Sequence, residues 1–434
     1  MTQSIRESSW DRDGIVRSIL DPVKIPKMAR VRQLFPDDRI ADIPSAVAGQ
    51  LARPEIRRTI RAGMKIAITV GSRGIANIPL IAAELARNIK SLGGEPFIIP
   101  AMGSHGGATA EGQRAVLEAL GVTERSVGAP IHATMETVVV GSTERGQSVH
   151  MDKHAAGADG IIVLGRVKPH TAFRGEFESG LLKMMAIGMG KRQGAEICHA
   201  EGFGRMAENV PAFARVVLKE AKILFGLAVV ENAFDATSII EAIPRDSIED
   251  RERSLLATAK ELMPRILFPE FDVLIVDRIG KNFSGDGADP NITGTYCTPY
   301  AEGGPQFQRY VVLDASDETH GNSLGVGMAD VTTKRLFDKS DFDASYPNAL
   351  TSRVLKTIRM PMVLNNDRLA IQASLYTSVG IGPEGARIVR IPNTSHVDVI
   401  SVSEALIAAA RSHPEIEILD APEQLAFDGD GNLL

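Results

Sequence analysis

Twice in its N-terminal half the chain repeats one pattern: a short apolar run, a glycine-rich loop, then apolar residues at helical spacing. Lys65–Val70 reads KIAITV, Gly71-Ser72-Arg73-Gly74 breaks it, and residues 78–92 carry the helical period until Gly93-Gly94 stops it. Residues 96–100 are the next predicted strand, with Met102-Gly103-Ser104-His105-Gly106-Gly107 as the loop beyond it. A helix then runs from Thr109, an N-cap with Gln113 close to capping-box distance, to Leu120. Strand, loop and helix in that order, repeated, require parallel strands joined by right-handed crossovers. Ligands of such sheets sit outside the carboxyl ends of the strands, where these loops fall.

The pattern continues with a predicted strand over 160–167, followed by Lys168-Pro169-His170. Residues 181–187, 193–198, 211–224 and 248–263 read as helices and 227–230 as a short strand. Pro264 and Pro269 punctuate the chain before a strand at 273–276 and a glycine-rich stretch over 280–304. A chain of 434 residues has room for two or three domains. The expected class is α/β in two lobes. A Rossmann-like parallel-sheet domain spans 1–270, and a smaller mixed α/β domain spans 271–400. The second lobe has strands at 310–313 and 387–391 and helices at 329–337, 345–358 and 367–373. A C-terminal helix (402–411) and tail, 401–434, are expected to pack back on the first lobe.

Composition excludes several functions. The formal charge of -6 is well mixed, and no basic stripe suggests nucleic acid. Two cysteines, Cys198 and Cys297, supply neither a disulfide framework nor a four-thiolate cluster. The N-terminus lacks a signal-peptide apolar run, and no stretch reaches the ~20 apolar residues of a membrane span. A cytoplasmic protein is expected, with no membrane or nucleic-acid partner. No Gly-x-Gly-x-x-Gly or Walker sequence signals NAD or ATP.

Three histidines stand in informative places. His105 lies among glycines after one predicted strand, and such a loop brings backbone close to a ligand. His170 follows another predicted strand, and His199 follows Cys198 in a helical stretch. Taken singly, each reads as a capping or structural histidine. Two at the ends of parallel strands face one cleft and suit proton transfer on opposite sides of one carbon. Lys183, in Leu-Leu-Lys-Met-Met, either snorkels to the surface or is buried with a lowered pKa that makes it a nucleophile. Asp286, Asp289 and Asn291 fail the EF-hand spacing and read as loop polarity.

Taken together, Gly103-Ser104-His105, His170, Ser179-Gly180-Leu181-Leu182-Lys183 and His199 resemble the lactate racemase family and its wider set of homologues, which use a nickel-pincer nucleotide. The family shows Gly-Thr/Ser-His after a strand and a second histidine before a Ser-Gly-x-x-Lys run. A third histidine follows at the lysine-to-histidine spacing that Lys183 and His199 keep. The resemblance implies a racemase or epimerase acting at C2 of a 2-hydroxy acid. His105 and His170 would be the paired acid/bases, Lys183 the covalent tether of the cofactor and His199 the protein ligand to nickel. It further implies cofactor contacts at Ser72, Arg73, Ser179 and Gly180, and substrate contacts at Arg73, Arg174 and Lys281. Partners would be the small-molecule substrate and the proteins that make the cofactor; the oligomeric state is open. The family's Ser-Asp-His-Thr-Arg-Pro loop is here Gly71-Ser72-Arg73-Gly74-Ile75-Ala76, and its Asn-Gly-Gly-x-Pro-x-Asp-Gln stretch is replaced around Lys281. These departures, with the added polar Arg174, Glu176 and Glu178, point to a substrate larger or more polar than lactate. Two other functions stay open: a non-catalytic carrier of the pincer nucleotide or nickel, and a metal-dependent sugar-acid lyase or dehydratase.

Overall fold

The computed structural model describes residues 14–72, 74–381 and 385–434. The chain divides into two compact units: Pro36–Met263, and Pro264–Leu434 together with the described part of Met1–Phe35.

Strands are numbered along the chain. After β1 (Met28–Gln33), which belongs to the second unit, β2 (Lys65–Val70) and β3 (Glu95–Pro100) come first in the Pro36–Met263 unit. A hairpin of β4 (Thr137–Ser142) and β5 (Ser148–Asp152) follows, then β6 (Gly160–Arg166), β7 (Ile223–Glu231) and β8 (Thr237–Pro244). The main sheet has the order β3-β2-β6-β7-β8, and only β8 is antiparallel to its neighbour. Continuous apolar runs suit β2 and β6 because both faces of the sheet are covered. Ile66, Ile68 and Leu164 point to one core, with Ile81 and Leu85 of the helix Ile78–Ser91. Ala67, Ile161 and Val163 point to the other, with Phe213 of Met206–Glu220 and Leu255 of Ile248–Leu262.

In the second unit lie β9 (Val273–Ile279), β10 (Arg309–Ala315), β11 (Val331–Thr333), β12 (Met362–Leu364), β13 (Ile388–Ile391), β14 (Val399–Ser403) and β15 (Ile416–Ile418). With β1 they form an eight-stranded sheet ordered β12-β11-β10-β9-β13-β14-β1-β15. No helix of the described residues is long and apolar enough to cross a membrane.

Several sequence expectations differ from this fold. The terminal segment 401–434 belongs to the second unit: β14 and β15 both pair with β1, and Asn366 Nδ2 donates to the Asp430 carbonyl. Residues 14–35 likewise sit in that unit, and the chain passes between units at Pro264. The helix expected over 211–224 is Met206–Glu220, with Pro211 inside it, because the apolar residues from Ile223 on are drawn into β7. Residues 329–337 split into β11 and the helix Lys334–Lys339, since Val331, Thr332 and Thr333 are β-branched. For the same reason 402–411 gives up Val402 to β14, and its helix is Ile407–Ser412.

Candidate active site

Because β3, β2 and β6 are adjacent and parallel, their carboxyl ends share one edge of the sheet. The segments just beyond those ends carry His105, Ser72 and His170 respectively. The loop after β3 runs through Gly103, Gly106 and Gly107, all at positive φ. Glycine is required at 106 on two counts: its φ is +66°, and a Cβ there would lie 2.6 Å from the Gly112 carbonyl carbon. Ser72 Oγ is hydrogen-bonded to His105 Nδ1. Thr109 caps the helix Ala110–Ala119 by accepting from the Gly112 N–H at 3.0 Å. Gln113 does not complete a capping box. Its side chain is buried and donates from Nε2 to the Gly103 carbonyl at 2.8 Å and the His105 carbonyl at 3.3 Å.

The loop after β6 is closed on itself, with the backbones of Lys168 and Ser179 exchanging hydrogen bonds of 2.8 and 3.1 Å. Inside it Glu178, its side chain fully buried, accepts from the His170 backbone N–H at 2.7 Å and from Lys260 Nζ at 2.7 Å. Arg174 serves the same loop: Nη1 donates to the His170 carbonyl at 2.7 Å and approaches Glu178 at 3.4 Å. The Ala172 N–H donates to His170 Nδ1 at 3.0 Å, so a neutral ring carries its proton on Nε2. The His170 ring packs 4.4 Å from Phe173.

Lys183 lies at the start of a helical segment that passes into a π turn over Met184–Gly188. Its side chain is half-buried, between the extremes of full burial and full exposure. The N-terminus of the segment is capped from another element: Glu252 Oε2 accepts from the Leu182 N–H at 2.9 Å and is also bonded by the Leu181 N–H. Gly180 precedes it because a Cβ would collide with Glu252 Oε1. Burial pushes the Glu252 carboxyl up to about 7, against the two backbone donors. The native chain therefore holds a proton that the unfolded chain releases between pH 4.5 and about 7. Stability falls as pH rises through that window, by on the order of 3 kcal/mol in full. Thermal unfolding of Glu252→Gln followed from pH 4.5 to 7.5 is expected to lose most of that slope; an unchanged slope would show that another group carries it.

His199 closes the helix Lys191–His199. Its Nδ1 lies 2.8 Å from the Ala195 carbonyl, which fixes Nδ1 as the donor and leaves the lone pair of a neutral ring on Nε2, the form that binds metals. Phe203 stands 5.9 Å from the His199 ring and 6.0 Å from the His170 ring, so one aromatic side chain touches both. The Cys198 thiol is pushed up to about 12 by burial, with the Lys183 ammonium acting in the opposite sense. A Cβ added at Gly71 would lie 3.6 Å from the Met184 side chain, and the Gly103 N–H donates to the Gly188 carbonyl at 3.1 Å. The loops after β2 and β3 thus rest on the segment that begins with Lys183.

Of the remaining candidates, Arg73 lies outside the described residues. Ser179 and Gly180 hold the backbone before Lys183. Lys281 belongs to the second unit, where its Nζ donates to the Gly285 carbonyl at 2.6 Å. Asp289 caps Pro290–Thr293 by accepting from the Asn291 N–H at 3.0 Å, as a polar loop residue does. Among the described residues no group of three or more His, Cys, Asp or Glu side chains is gathered to hold a metal. A cavity of about 520 Å³, lined in part by Arg58, Arg61, Asp159 and Arg245, opens at the amino ends of the strands, opposite the edge that carries the histidines. Sequence reasoning passed over Glu252, although a signal existed: it falls on the stripe formed by Ile248, Leu255, Leu256 and Ala259, an acidic residue on an otherwise apolar face.

Residues 23–208 match the family model of the lactate racemase N-terminal domain. Among solved structures, the lactate racemase apoprotein from Thermoanaerobacterium thermosaccharolyticum aligns over 77% of this chain and 88% of its own, at 15% identity and a TM-score of 0.47. No curated protein matches the chain.

Proposed function

We propose, from the match of residues 23–208 to the family model of the lactate racemase N-terminal domain, that the chain is an isomerase that inverts C2 of a 2-hydroxy acid with the help of a nickel-pincer nucleotide held by Lys183. The observation that carries this reading is the convergence of His105 and His170 at one edge of the sheet, on loops built around Lys183 and His199. The acid more polar or larger than lactate remains the expected substrate class. The cytoplasm is the expected compartment, and the proteins that build the nucleotide are the expected partners.

The chain's residues fit such a group. The Ala195 carbonyl holds the His199 Nδ1 proton, so a neutral ring has its lone pair on Nε2, and an imidazole suits nickel alongside sulfur donors. With no larger protein donor set among the described residues, a metal held by His199 would draw its other donors from the bound group. Lys183 supplies an amine on a segment fixed by Glu252. When bound, the nucleotide supplies the acceptor and donor for the substrate's C2 hydrogen, chemistry no protein side chain provides.

The protein's share is proton transfer and positioning. The two histidines are held differently. His105 leans on a hydroxyl, which both gives and accepts a hydrogen bond, so Ser72 accommodates either protonation state of the ring. His170 leans on a backbone N–H, which only donates, so its neutral ring presents Nε2–H. His105 is therefore assigned the removal of the substrate's hydroxyl proton and its return to the same oxygen once the carbon has been planar, and His170 the donation of a hydrogen bond from Nε2–H to that oxygen. Arg174, bonded to the His170 carbonyl and Glu178, shapes the His170 loop, and any hold it has on a carboxylate comes in addition to that.

Incubating single enantiomers of 2-hydroxy acids with the loaded protein in deuterated water tests the proposal. The expected result is loss of optical activity with the C2 hydrogen retained, because that hydrogen leaves and returns without becoming a solvent proton. Deuterium at C2, or loss of water from the substrate, would instead identify the proton-abstracting lyase chemistry.

A further inference from the structure

The Lys191 side chain is fully buried, and so is that of Asp152, with Nζ and Oδ2 2.9 Å apart. Lys191 also adopts a left-handed backbone, φ +53°, which a lysine disfavours. Burial pulls its ammonium below the usual lysine value, against the pull of Asp152. A buried pair at an unfavourable backbone position contributes little to stability for what it costs in desolvation, and such features concentrate where geometry matters.

The partners of Lys191 show what it holds. Its ammonium donates to Gln113 Oε1 at 3.1 Å and to the Pro100 carbonyl, and its charge faces the Asp152 carboxylate. Gln113 passes the connection on, from Nε2 to the carbonyls of Gly103 and His105. One cation and one amide therefore grip the loop after β3 at Pro100, Gly103 and His105. Asp152 ends β5, and its Oδ1 caps the short helix Lys153–Ala156. Lys191 itself opens the helix that ends at His199.

We propose that Gln113 and Lys191 are positioning residues that fix His105 against the helix of His199, so that the acid/base and the metal ligand keep one mutual placement. This rests on the reading of His105 as an acid/base. The contacts predict separable effects. Gln113→Glu keeps an acceptor for Lys191 and loses the donor to the two carbonyls; Gln113→Met keeps the length and loses both.

The test is nitrogen NMR of histidine-labelled full-length protein, with the His105 signals identified by their loss in His105→Gln. Steady-state kinetics of the loaded enzyme accompany it. In both Gln113 variants the His105 ring signals are expected to shift while those of His413, in the other unit, stay in place. In the loaded enzyme kcat is expected to fall about 10- to 100-fold with KM within about twofold, the signature of a misplaced catalytic group. A merely structural role would lower the melting temperature and leave the ring signals and kcat of the folded fraction unchanged, and that result overturns the inference. Shifted His105 signals in a wild-type chain that inverts no hydroxy acid would support the inference and sink the functional reading instead.

Discussion

Glutamine at position 105 is expected to lower kcat by ~10²- to 10⁴-fold, the range over which positioned acid/base groups act. The loss should leave the Lys183 adduct and the nickel content as in the unmodified sequence, because His105 contacts Ser72 and its own loop and holds neither. Glutamine at 170 should cost a comparable factor. The double variant should be far less impaired than the product of the two, since both groups act on one oxygen in one reaction. Ser72→Ala should fall between these and wild type, because it removes the hydroxyl that accommodates both protonation states of His105. Measured with both enantiomers of one substrate, the single variants separate the present reading from that of a carrier. A carrier would keep its nickel and, having no turnover, would lose nothing.

The second large effect concerns Lys183. Lys183→Ala and Lys183→Arg are both expected to abolish the covalent adduct and to reduce turnover by ~10³-fold or more, because the group that accepts the C2 hydrogen is no longer retained. Arginine separates charge from nucleophilicity: it keeps a cation at the position but offers no amine that forms an amide-type bond. Both variants should fold, since Lys183 is half-buried while the anchoring contacts of its segment run through the backbone of Leu181 and Leu182 to Glu252. Activity above a tenth of wild type in either variant would remove Lys183 from the mechanism.

What the sequence disclosed follows from where each residue sits. β2, β3 and β6 were legible because strands buried on both faces are unbroken apolar runs, and each ends in a loop of turn-forming residues. β1 and β14 were not. Each carries polar residues on an exposed or half-exposed face, and their pairing, Met28 with Ser403, joins the two ends of the chain. This is also why the membership of the terminal segment in the second unit was not legible. His105, His170, Lys183 and His199 were singled out through motif and spacing. The groups that hold them were hidden, because nothing local ties Glu252 to Leu182, or Lys191 to Gln113. Gln113 had even been given a different partner: at capping distance from Thr109, its side chain turns inward to the loop of His105.

The most direct test of the account is intact-protein mass spectrometry with metal analysis on the chain produced in cells that supply nickel and the pincer-nucleotide pathway. The account predicts an added mass that maps to the peptide carrying Lys183, with about one nickel per chain. An unmodified Lys183 without nickel, from cells in which a known pincer enzyme is fully loaded, would contradict it.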